Sequence, residues 1–146
     1  AEVAARSILE TKTMLRLILG VVLGVIVGGI VTSVVEGTGH TIFPPPPGVN
    51  LTDPAQLQTV MSHVPMEAKF AILLAWFLGV LSGAATANLI AGRRALAGRI
   101  TSMLIFCFAA WTMTSIPHPA WFVAAACAAI LFAAFVADRA SGRVRV

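Results

Sequence analysis

Charged residues are scarce in this chain. Only 11% of its 146 residues are Asp, Glu, Lys or Arg, whereas 58% are hydrophobic, and the mean hydropathy is +0.92. Soluble domains carry about a quarter charged residues, so the composition excludes that class and predicts one polytopic membrane domain over 1–146. The net charge of +4 does not indicate a nucleic-acid partner, because the basic residues flank apolar spans without interleaved aromatic side chains.

The apolar spans also lack reactive chemistry. We expect no ionisable side chain at mid-membrane depth, which argues against proton relays, ion pathways and a haem held between transmembrane histidines. The two cysteines, Cys107 and Cys127, fall inside apolar segments, where we expect buried thiols without a disulfide. Because no nucleophile is paired with a base, the sequence predicts a protein that is not an enzyme and needs no cofactor.

Glycine and proline divide the chain into four apolar segments, each long enough to cross a bilayer core of about 30 Å. The predicted fold is an all-α integral membrane protein, an antiparallel bundle of four transmembrane helices at approximately 14–36, 65–91, 96–115 and 119–138. Residues 1–12 are expected to form a short interfacial or frayed extension of helix 1. The apolar run of helix 1 is longer than that of a secretory signal, so we expect helix 1 to be a retained signal anchor.

The outer loop, 37–64, is expected to begin where Gly37 and Gly39 end helix 1 and to continue as a stiff polyproline segment at 44–47. A capping residue before Pro54 predicts a short interfacial amphipathic helix after it. Every Lys and Arg except Lys69 lies on the side of the termini and the loop between helices 2 and 3. The positive-inside rule therefore predicts that both termini are cytoplasmic and that the outer loop faces outward.

Small residues recur at every fourth position of helices 1 and 2. The residues expected to pack are Gly20, Gly24, Gly28, Gly79, Gly83 and Ala87, and helix 4 has a further row of Ala125, Ala129, Ala133 and Ala137. Such faces let another backbone approach closely, as in a glycine zipper. Two alternatives stay open: the rows pack on each other in a hairpin, or they form an interface with another subunit. Thr32, Ser82, Thr86 and the deep amide of Asn88 are expected to hydrogen-bond between helices.

Imidazoles and carboxylates collect on the predicted outer side. If the two rows pack together, one shared site would contain Glu36, His40, His63, Glu67 and His118. Carboxylate and neutral imidazole are ligands of divalent metals, and Glu36 and His40 have the four-residue spacing that places two ligands on one helix face. The alternative is a capping and hydrogen-bond network that orders the outer loop. The metal content of this site is left open.

Three short stretches resemble small four-helix bacterial inner-membrane proteins of unknown function. They are His40-Thr41-Ile42-Phe43-Pro44-Pro45, Leu74-Ala75-Trp76-Phe77-Leu78-Gly79 and Ile116-Pro117-His118-Pro119-Ala120-Trp121-Phe122. The resemblance implies the four-helix topology and a bacterial cytoplasmic membrane. It implies no catalytic or ligand-binding residue.

These observations favour a non-catalytic membrane protein. Its Gly and Ala faces would pack it into an assembly, either as an accessory subunit of a larger membrane complex or as a homo-oligomer, with the lipid bilayer and other membrane subunits as partners. One alternative is a protein that binds a metal or small ligand at the outer His and Glu cluster. Another is a small oligomeric channel or transporter.

Overall fold

Four α-helices make up most of the described chain. The computed structural model describes residues 2–44, 53, 64–116 and 118–142. The helices are α1 (Glu2–Ile42), α2 (Met66–Ile90), α3 (Ala95–Ser115) and α4 (Ala120–Ser141). Each is long and apolar enough to cross a membrane. The prediction of an all-helical chain with four such helices is confirmed, and it indicates a multi-pass membrane protein.

Helix α1 is longer than the predicted span 14–36 at both ends. It begins at Glu2 and ends at Ile42, so its 41 residues extend about 61 Å at 1.5 Å per residue. The expectation that Gly37 and Gly39 end this helix is wrong. Each glycine costs a helix only about 1 kcal/mol, whereas Pro44 disfavours helical backbone at the residue before it and stops the helix there.

The other helices begin and end within three residues of the predicted boundaries. Of the polyproline segment predicted at 44–47 the structure describes Pro44 alone, and the amphipathic helix predicted after Pro54 falls on 54–63, outside the described residues.

Helices α1 and α2 meet through their glycine rows. A Cβ atom added at Gly24 would lie 2.7 Å from the carbonyl oxygen of Gly83, and one added at Gly28 would lie 2.8 Å from that of Gly79. At Gly20 the nearest atom is the carbonyl oxygen of Ala87, again at 2.7 Å. Positions rise along α1 as they fall along α2, so the helices are antiparallel, with backbones too close for any side chain at these positions.

Helices α2 and α3 each contact all three other helices, whereas no contact joins α1 to α4 within the described ranges. Gly24 lies next to Thr101 of α3, and Gly28 lies next to Ile105, so α1 and α3 run parallel. The cross-section is therefore a rhombus, with α2 and α3 on its short diagonal and α1 and α4 at its far corners.

The apolar core lies mainly between α2 and α4. The ring of Trp76 packs edge-on against Phe122, with centroids 6.0 Å apart. Helix α4 buries Ala126, Ile130, Ala133 and Ala137. Its packed face therefore includes only part of the predicted row, because Ala125 and Ala129 are half-buried. The large residues Phe122 and Ile130 also belong to the packed face, and a pattern of small residues does not predict them.

A polar network joins three helices at the end where α2 turns into α3. Asn88 is fully buried, and its Oδ1 accepts the backbone N–H of Gly98 at 2.7 Å. Its Nδ2 donates to Ser141 Oγ of α4 at 3.3 Å, and Arg99 Nε donates to Asp138 Oδ2 at 2.7 Å. Interhelical bonding by Asn88 is confirmed.

The hydroxyl groups of Ser82 and Thr32 form their shortest hydrogen bonds within their own helices. The expectation for Ser82 is wrong, because its hydroxyl donates to carbonyls of its own helix. Thr32 Oγ1 donates to Gly28 O at 2.9 Å within α1 and reaches Ala75 O of α2 only at 3.5 Å. These two hydroxyls are therefore satisfied chiefly within their own helices. The contact between the glycine rows of α1 and α2, called the seam below, depends on backbone packing.

Candidate functional site

A cleft of about 730 Å³ opens between α1 and α3, on the side of the seam away from Asn88. Close α1–α3 contact is seen at Gly24 and Gly28, and the cleft extends from beside this contact toward the C-terminal end of α1, with α2 as its floor. The lining residues are Val25, Gly29, Thr32, Ser33, Glu36 and His40 of α1, Ile72 and Trp76 of α2, Leu104, Ile105, Phe108, Ala109 and Thr112 of α3, and Ile116 and His118 of the turn that follows α3.

The cleft is amphipathic along its length. Its α1 wall begins with Val25 and Gly29 and ends with Glu36 and His40, and its α3 wall changes from aliphatic and aromatic residues to Thr112. The residues of each wall recur at helical spacing, so one face of each helix supplies both the apolar and the polar part. The polar groups thus collect at one end.

Glu36 is the charged residue of this cleft. Its Oε1 accepts the indole N–H of Trp76 at 2.8 Å, and no salt bridge reaches it from the described residues. Trp76 is only 8% exposed, so packing fixes the indole that holds the carboxylate.

The position of Glu36 along α1 is set by the helix end at Ile42, and the expectation that no ionisable group lies at mid-membrane depth stays a prediction. Since α1 continues to Ile42, Glu36 is six residues from the helix end, a distance of about 9 Å along the axis. Its partner Trp76 is ten residues inside α2, about 15 Å from the start of that helix. The carboxylate is half-buried, at the place where α1 faces Trp76 of α2.

His118 is held in a defined orientation at the same end. Its Nδ1 lies 2.6 Å from the carbonyl oxygen of Ile116, and the ring stacks on Phe122 with centroids 4.8 Å apart. A carbonyl oxygen can only accept, so Nδ1 carries the hydrogen. In the neutral ring Nε2 is then an acceptor.

The structure brings together part of the predicted outer cluster. Glu36, His40 and His118 all line the cleft, whereas Glu67 is exposed at the start of α2 and does not line it. His63 lies outside the described residues. Within the ranges that the structure describes, no three His, Cys, Asp or Glu side chains are grouped so that they could hold a metal ion.

Sequence reasoning missed Trp76 as a member of the site. The available signal was physical: a tryptophan in the middle of an apolar helix still requires an acceptor for its N–H, because neither lipid nor an apolar core supplies one. Glu36 on the facing helix is such an acceptor. The pairing depends on the register between α1 and α2, which in the structure places Gly24 against Gly83.

The thiols take no part in this site. Cys107 is exposed on the outside of α3, so the expectation that it is buried is wrong, and Cys127 is half-buried on α4. Neither lines the cleft.

The arrangement suits binding of a molecule with a polar and an apolar part. Its polar end offers a carboxylate, two imidazoles and the hydroxyls of Thr32, Ser33 and Thr112, and its remainder offers a hydrocarbon surface. A comparison with protein-family models, curated proteins and solved structures found nothing that matches this chain.

Proposed function

We propose that this protein is a non-catalytic multi-pass membrane protein that binds a small amphipathic molecule in the α1–α3 cleft. The amphipathic cleft itself carries the proposal. Its volume of about 730 Å³ falls in the range of small-molecule sites, about 300 to 1,000 Å³, which are mostly apolar with a few placed polar groups.

The position of Glu36 supports this function. A carboxylate within a membrane-spanning segment is costly, and such residues usually mark a ligand or ion site. Trp76 supplies one hydrogen bond to it, which leaves the group stabilised but not neutralised by a described partner. The Trp76 N–H would be satisfied as well by a neutral acceptor, so the charge of this carboxylate favours a binding role.

We further propose that the protein lies in a bacterial cytoplasmic membrane with both termini in the cytoplasm. Arg16 of α1 lies one turn before Gly20, which packs near Ala91 at the end of α2. Arg99 and Arg139 lie at that same end of the bundle, beside the Asn88 network. By the positive-inside rule this end faces the cytoplasm, and the polar end of the cleft then faces the outer leaflet.

Two glycines of α1 provide a matched test. Gly29 lines the cleft and Gly37 does not, and a Cβ at either position would meet no atom within 4 Å. Gly29→Trp should therefore fill part of the cleft without disturbing the bundle, and Gly37→Trp should leave the cleft unchanged.

The measurement is native mass spectrometry of the protein purified in a mild detergent, alone and with dodecan-1-ol as a neutral probe. We expect a one-to-one adduct on the wild type and on Gly37→Trp, and at least a tenfold smaller adduct on Gly29→Trp. An adduct of equal abundance on both variants, or none on the wild type, would contradict binding in this cleft.

Assembly with other subunits stays a prediction, and the same spectra test it through the mass of the intact particle. Gly24 and Gly83 pack against each other within one chain, so these faces are not available to a second subunit. An assembly would have to use other helix faces.

A further inference from the structure

We propose that the polar end of the cleft selects a primary ammonium group, so that the ligand is a single-chain amphiphilic amine. This inference rests on the proposed binding function and specifies its ligand. It follows from three properties of the cleft: its hydrogen-bond acceptors, its charge and the length of its apolar part.

The Glu36 carboxylate at this end has unused capacity to accept hydrogen bonds. An ionised carboxylate accepts about four hydrogen bonds, and the described residues supply Glu36 with one, from Trp76. In His118 the Nδ1 hydrogen is already donated to Ile116, so the neutral ring offers only the acceptor Nε2. A head group that matches these groups must donate hydrogen bonds, and a primary ammonium has three N–H donors.

The charge of the cleft points to the same head group. Glu36 is its one acidic lining residue, and no Lys or Arg lines it within the described ranges. A ligand cation would supply the missing positive charge at the carboxylate. A zwitterionic phospholipid head would bring a phosphate that finds no cation there, so we infer a simple amine and not phosphatidylethanolamine.

The apolar part accommodates a chain. From Glu36 back to Val25 the α1 wall extends about 16 Å along the helix axis. Gly29 leaves space along this wall, and Leu104 and Phe108 form the opposite side. This length suits an alkyl chain such as dodecyl, with its nitrogen at Glu36.

Trp76 is a reporter located at the head-binding end. The chain contains three tryptophans, and Trp111 and Trp121 are exposed by 71% and 41%. Replacing both with Phe leaves Trp76 as the only source of tryptophan fluorescence. Its emission should change when a head group binds to the Glu36 carboxylate that it contacts.

The experiment titrates this protein at pH 7 in a mild detergent with dodecylammonium, dodecyltrimethylammonium, dodecan-1-ol and lysophosphatidylethanolamine. We expect dodecylammonium to bind about tenfold more tightly than the alcohol and several-fold more tightly than the trimethyl compound, which has the charge but no N–H donors. The lysolipid should bind more weakly than dodecylammonium.

Glu36→Gln is the matched variant, because a glutamine oxygen can still accept the Trp76 N–H. We expect it to lose about tenfold in affinity for dodecylammonium and to lose much less for the alcohol, which carries no charge. Equal affinities for all probes, tighter binding of the trimethyl compound or the lysolipid, or an unchanged Glu36→Gln would overturn the ammonium inference while leaving the cleft as a binding site. Failure of every probe, including the alcohol, would overturn the proposed function itself.

Discussion

The α1–α2 seam makes a quantitative prediction through two glycines five residues apart on one helix. We compare Gly24→Ala with Gly29→Ala. At Gly24 the new methyl group would lie 2.7 Å from the Gly83 carbonyl oxygen and 2.8 Å from the Ala87 Cβ, whereas at Gly29 it meets nothing within 4 Å. Carbon atoms prefer separations of about 3.5 to 4.0 Å, so the first methyl group needs nearly 1 Å of additional space.

The magnitude follows from the difference between the two variants. Both gain the same helix propensity from Gly to Ala, about 1 kcal/mol, so this contribution cancels when they are compared. What remains is the overpacking cost at Gly24, typically about 1 to 3 kcal/mol, and a backbone carbonyl cannot rotate away as a side chain can. Gly24→Ala should therefore be less stable than Gly29→Ala by about that amount.

The assay is unfolding in mixed micelles with increasing sodium dodecyl sulfate, followed by far-ultraviolet circular dichroism. Wild type should fall between the two variants or close to Gly24→Ala. Equal free energies of unfolding for the two alanine variants, within about 0.5 kcal/mol, would refute the close approach of the backbones at Gly24.

Three further predictions concern polar groups. Asn88→Leu should lower the free energy of unfolding by about 1 to 3 kcal/mol, because it leaves buried partners unsatisfied, and Ser82→Ala, which removes a bond within one helix, should change it by less than about 0.5 kcal/mol in the same denaturation assay. Trp76→Phe should lower the free energy of unfolding by about 1.5 to 3 kcal/mol, because it removes a hydrogen bond to a charged group. The double variant with Glu36→Gln should lose less than the sum of the two single losses, and strict additivity would show that the pair is not coupled. A cysteine at Gly92, in a variant lacking the native cysteines, should resist a membrane-impermeant maleimide in intact cells, and labelling from outside would reverse the proposed orientation.

The helices were predictable because their signal is local. Twenty or so consecutive apolar residues with glycine or proline at their ends predict a span whatever the rest of the chain does. The four-residue spacing likewise places Gly20, Gly24 and Gly28 on one face of α1, and in the structure that face lies against α2.

The candidate site was less predictable because it depends on where α1 ends and on contacts between residues far apart in the sequence. Gly37 suggests a helix end, but α1 passes through it to Ile42, and that continuation places Glu36 six residues before the helix end. The contact between Glu36 and Trp76 joins residues 40 apart in sequence, and it exists only in one register of α1 on α2. The four-residue spacing shows which faces of the two helices meet, but it does not specify that register.

The glycine seam also determines how the molecule can deform. Side chains in an ordinary interface can change rotamer as helices slide, but Gly24 and Gly83 have none, so sliding of α1 along α2 would bring backbone atoms into collision. Helix α3 meets α1 near Thr101 and Ile105, and no described contact ties α1 to α4 on the far side. The seam therefore fixes the α1 wall and the α2 floor of the cleft relative to each other, whereas the α3 wall is positioned by its separate contacts with α2 and α4.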